Sequence, residues 1–64
     1  MQEGTVKFFN VTKGFGFITP SNGGQDVFVH STGLLDDIRE NERVTYEVEN
    51  GQKGVNAFNV RVAR

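Results

Sequence analysis

The 64-residue chain contains no cysteine and no tryptophan, a single proline and a single histidine. Without cysteine there is neither a disulfide framework nor a thiolate metal site, and His30 alone cannot assemble a site from histidines. Metal and cofactor are therefore not expected. A membrane-spanning helix needs about 20 predominantly apolar residues, and no such run exists. Met1, Gln2, Glu3 and Gly4 lack the basic start and apolar stretch of an export signal, so a cytoplasmic protein is expected. On that ground Asn10-Val11-Thr12, a glycosylation triplet, is read as a chance match. Excess positive charge is missing too. The net charge of −1 excludes a polyanion binder that works by bulk charge alone.

The charge that exists is unevenly spread. Asp36, Asp37, Glu40, Glu42, Glu47 and Glu49 face only Arg39 and Arg43, whereas residues 51–64 carry Lys53, Arg61 and Arg64 with no acid. The acidic stretch reads as a solvated face; the alternative is that it repels phosphate and keeps a ligand on the opposite side. No repeat or linker divides the chain, so residues 1–64 form one domain, expected to be monomeric. A core of that size supplies roughly 3–5 kcal/mol when nothing staples it.

Strand signals dominate. Residues 5–10 are β-branched and aromatic, and residues 15–19 and 26–30 alternate aromatic with small or aliphatic side chains. Lys13-Gly14 and Pro20-Ser21-Asn22-Gly23-Gly24 supply the turns of a three-strand meander. Residues 43–49 place Val44, Tyr46 and Val48 on one face, and Asn50-Gly51 opens the next turn. In residues 55–63, Phe58, Val60 and Val62 share one parity. Five strands in so short a chain imply closure, because an open sheet would leave two unpaired edges. Residues 31–40 hold the one helix signal, a short turn laying Leu34, Leu35 and Ile38 over the barrel mouth.

Alternation then sorts the side chains. Gly16, Ile18, Val27 and Val29 suit the interior of a small barrel, which sends Phe15, Phe17, Phe28 and His30 to the opposite face. Were the rings inside instead, Ile18, Val27 and Val29 would face water. An exposed apolar patch of this kind marks a binding surface. Lys7, Phe8 and Phe9 follow one another in the first strand, so one ring must turn outward. Phe8 is assigned to the patch, Phe9 to its border and Val6 to the core, an arrangement that needs a bulge nearby. Lys13 and Lys53 each precede a glycine at a strand end, where they flank the rings. Aromatics beside cations suit a single strand of nucleic acid, since each base offers a π-face and each phosphate a charge.

Lys13-Gly14-Phe15-Gly16-Phe17-Ile18, followed by Val27-Phe28-Val29-His30, resembles the paired ribonucleoprotein motifs of bacterial cold-shock proteins. The likeness extends to Gly4-Thr5-Val6-Lys7-Phe8-Phe9-Asn10 at the start and to Lys53-Gly54 and Asn59-Val60 near the end. It implies an all-β, five-stranded antiparallel OB-fold barrel that binds single-stranded RNA and DNA as an RNA chaperone. Carried over residue by residue, the binding surface comprises Lys7, Phe8, Lys13, Phe15, Phe17, Asp26, Phe28, His30 and Lys53. Asp26 would accept a hydrogen bond from a base edge or else fix the turn before the third strand. Phe8 stands where the family commonly has tryptophan, Ser31 where many members have an aromatic, and residues 31–43 form a shorter loop without one. Each departure removes stacking area and implies weaker binding or fewer bases bound.

Two other classes compete with this reading. An aromatic groove could dock a proline-rich peptide, although lysines beside it favour phosphate. An enzyme is not expected, because neighbours such as His30 and Ser31 point to opposite faces of a strand and cannot pair as base and nucleophile.

Overall fold

A computed structural model describes residues 2–51 and 54–63. Five strands, β1 (Gln2–Asn10), β2 (Phe15–Pro20), β3 (Val27–His30), β4 (Arg43–Gly51) and β5 (Gly54–Val62), close into a barrel in the order β1-β2-β3-β5-β4. The first three form the expected antiparallel meander, and β4 pairs antiparallel with both β1 and β5. Closure between β3 and β5 is parallel, with Phe28 opposite Asn56 and Val29 opposite Ala57. The barrel is thus mixed rather than wholly antiparallel. The parallel pair arises because the connection after β3 crosses the barrel end and inserts β4 on the far side.

Turn chemistry sets the meander. The Asn10 carboxamide accepts from the Lys13 amide at 3.0 Å, and Gly14, with φ of 75°, donates to the Asn10 carbonyl. Asn22 folds the second turn by accepting from the Gly24 amide at 3.0 Å, beside Gly23 with φ of 83°. Pairing of β4 and β5 runs through Asn50 and Gly51, so the turn between them begins later than Asn50.

The core comprises Val6, Ile18, Val27, Val29, Ile38, Val44, Tyr46, Ala57 and Val60, all buried. None of the six phenylalanines is among them. The helix signal of residues 31–40 yields only one 3-10 turn, Ser31–Gly33, where His30 acts as the cap. Of the three apolar residues expected over the mouth, Ile38 is buried and Leu34 packs on the core, while Leu35 is 52% exposed. The Leu35 backbone amide donates to the Val60 carbonyl at 2.9 Å, joining this segment to β5 while the side chain faces solvent.

Two bulges break the alternation. Between the pairs Val6–Ile18 and Phe8–Phe17, β1 has one residue more than β2, which is Lys7. Between Thr45–Arg61 and Glu47–Phe58, β5 likewise has one residue more than β4. At that second place Asn59 has φ of 52°, a conformation asparagine tolerates better than most residues. Ala57 and Val60 are therefore both buried, although three residues apart, and Phe58 does not share the inward face of Val60.

Gly16 sits where Phe9 leans over β2. A Cβ there would lie 2.7 Å from the Phe9 ring and would collide with the Phe8 carbonyl. Gly16→Ala should accordingly destabilise the fold by about 1–3 kcal/mol, a large share of the stability available at this size. Urea unfolding of the variant beside the wild type measures the loss.

Candidate nucleic-acid interface

The Lys7 bulge decides which rings meet. With one extra residue in β1, Val6 points in and Lys7 and Phe8 both lie exposed, after which Phe9 turns back toward the core. Phe9 thus belongs more to the interior than to the border of the patch. In register, Phe8, Phe17 and Phe28 form a row across β1, β2 and β3, and Asn10, Phe15 and His30 form the next row. Phe8 is 38% and Phe17 36% exposed, Phe15 and Phe28 are half-buried, and His30 is exposed.

What half-buries Phe15 and Phe28 is each other. Their rings are near-parallel, with centroids 6.0 Å apart and 20° between planes. Phe17 meets Phe28 edge-on at 5.9 Å and Phe15 at 6.5 Å, and Phe8 meets Phe15 at 6.2 Å. Phe15 therefore touches all three of the others. Edge and offset contacts of this type contribute about 0.5–1.5 kcal/mol each beyond area burial, so the rings hold one another in place without entering the core.

Polar groups fix the borders. The His30 Nδ1 accepts the Thr32 amide at 3.2 Å and lies 3.0 Å from the Thr32 hydroxyl. A nitrogen that accepts a backbone N–H carries no proton, which places the ring proton on Nε2. At the other end, Lys7 Nζ donates to Asp26 Oδ2 at 3.0 Å, and the Thr19 hydroxyl donates to Asp26 Oδ1 at 3.1 Å. Asp26 thereby ties the β1 bulge to β2 and to the start of β3. Each of its oxygens holds one partner and keeps a second lone pair with which to accept from a base edge. Lys13 lies exposed in the β1–β2 turn. Lys53 lies outside the described residues.

Reading the sequence alone missed one flank. Phe28 borders a cleft of about 280 Å³ that also touches His30, Thr32, Glu49, Asn56 and Phe58. On its other side a groove of about 580 Å³ runs past Phe17, Gln25, Asp26 and Val55. Simple parity groups Phe58 with Val60 and Val62, and the bulge at Asn59 is what turns it out of that set. The presence of an asparagine in mid-strand was the available signal.

Hydrogen bonds from Lys7 and Thr19, together with the Lys7 charge, hold the Asp26 carboxyl below its ordinary 3.8. The unfolded chain binds that proton at higher pH, so the pair's contribution is complete above the ordinary value and is lost as pH falls through the folded one. An NMR titration should find Asp26 ionising below 3.8, moving back up in Lys7→Gln.

Comparison with known proteins places the chain in a family. Residues 2–63 match the family described as the 'Cold-shock' DNA-binding domain. Cold shock-like protein CspG of Shewanella violacea is 54% identical over 61 residues, covering 89% of this chain and 87% of the relative. Cold shock-like protein CspG of Escherichia coli K12 is 49% identical over the same shares. Among solved structures, drosophila Unr CSD456 has a similar fold, with a TM-score of 0.83 over 98% of this chain at 24% identity. This chain spans 26% of that structure's length. Family match, identity over most of two relatives' length and the shared barrel lead to one conclusion: the chain belongs to the cold-shock domain family of nucleic-acid-binding proteins.

Proposed function

We propose that the protein binds single-stranded RNA and DNA on the outer face of β1, β2 and β3, and acts in the cytoplasm as an RNA chaperone. The observation that carries this reading is the contiguous set of four phenylalanine rings outside a barrel whose interior is almost wholly aliphatic. Phe8, Phe15, Phe17, Phe28 and His30 receive base faces. Lys7, Lys13 and Lys53 meet phosphates, and Asp26 accepts from a base edge when Lys7 leaves it for a phosphate. Stacking is indifferent to base identity and requires bases that are unpaired, so the protein favours open RNA over paired RNA. Each stack is weak enough to be reversed, which lets RNA exchange structures. Nothing in the fold or its relatives favours the proline-rich peptide as ligand.

Binding of an unstructured oligonucleotide should weaken in Phe15→Ala by about 1–3 kcal/mol, the contribution of one stacked base. Circular dichroism confirms that the variant is folded. The slope of log affinity against log salt should be about −2 for three phosphate contacts, and it should persist in Phe15→Ala. A folded Phe15→Ala with undiminished affinity would leave only charge to explain binding and would overturn the stacking account.

A further inference from the structure

We infer that Phe58 is a further base-stacking residue, extending the platform from three strands to four. This rests on reading the outer face as a single-strand platform. The parallel pairing of β3 with β5 sets Phe28 beside Asn56 and Val29 beside Ala57, and the residues that follow on each strand, His30 and Phe58, line one cleft. The row that begins with Asn10 and Phe15 on β1 and β2 runs to His30, and Phe58 shares the cleft beside it.

Phe58 is half-buried, yet it is not among the partly buried side chains that pack on the core. In this it matches Phe15 and Phe28 and differs from Phe9. The extra residue at Asn59 puts it there: Val60 keeps the inward position, and the Asn59 carboxamide donates to Glu47 Oε2 at 2.9 Å, fixing the bulge. Phe58 and His30 line the same cleft of about 280 Å³, with Phe28 along its edge. Gly33 closes its lower rim, where a Cβ would come within 3.0 Å of the Ala57 carbonyl and 3.3 Å of the Phe58 Cα.

Charge selects the part of the nucleotide that enters. Glu49 lines the cleft and Glu47 stands opposite Phe58 in the β4 register. Two carboxylates repel phosphate, so the strand presents a base to Phe58 and keeps its backbone toward Lys13 and the far side of the row. The loop of residues 31–43 carries no aromatic, and Phe58 supplies stacking surface next to it from β5 instead.

The test uses oligo-dT of about eight nucleotides, within the range one barrel of this type accommodates. Phe58→Ala, shown to be folded by circular dichroism, should bind it about 5-fold or more weakly, the lower end of one stacked base. Phe58→Trp should retain affinity, and its indole fluorescence should be quenched as the oligonucleotide is added. Undiminished affinity in Phe58→Ala, or tight binding with an unquenched indole in Phe58→Trp, would overturn the extension to β5. Phe15→Ala measured alongside separates the two claims: if it weakens binding while Phe58→Ala does not, the three-strand platform stands and only Phe58 is excluded. Should Phe58→Ala fail to fold, the quenching of Phe58→Trp decides.

Discussion

The width of the barrel governs everything else in this molecule. Five short strands enclose a space that Val6, Ile18, Val29, Val44 and Val60 fill, with Tyr46 the one ring sealed inside. Where a strand runs without a bulge, alternation then assigns the opposite face to whatever remains, and on β2 and β3 what remains is phenylalanine and histidine. The binding face is therefore a consequence of how the core is packed. Exchanging the two sets would put Ile18, Val27 and Val29 in water and force three rings into a space too narrow for them.

Rings left outside a core would ordinarily be mobile and costly. Here they restrain one another, with Phe15 in contact with Phe8, Phe17 and Phe28. A platform held by mutual edge contacts keeps its π-faces available while losing little freedom when a base arrives, which favours binding. The Lys7–Asp26–Thr19 cluster does comparable work at the border, joining three strands through side chains alone. Tyr46 shows the opposite strategy: its hydroxyl has no hydrogen-bond partner among the described residues, and burial pushes its ionisation up.

Period-two patterning made the five strands, the meander and the outward turn of Phe15, Phe17, Phe28 and His30 legible, because β2 and β3 pair without a register shift. The adjacent pair Phe8-Phe9 even announced the bulge in β1, since two neighbouring rings cannot share a face. At Asn59 no such conflict is visible. Phe58, Val60 and Val62 alternate cleanly in sequence, and beyond the mid-strand asparagine it takes the positive φ of Asn59 and the register shift to reveal that Phe58 has left the inward set. The parallel β3–β5 pair was equally hidden, as pairing direction depends on how the chain crosses the barrel end. Leu35 looked like a core residue by composition, but its side chain is exposed while its backbone pairs with Val60.

Ring-proton NMR spectra recorded during titration with an unstructured oligonucleotide address the central claim most directly. Signals of Phe8, Phe15, Phe17, Phe28 and His30 should move together and saturate, while the methyls of Val6, Ile18 and Val44 stay in place. Shifts confined to the side chains of Arg43 and Arg61, with the phenylalanine rings unmoved, would contradict the account.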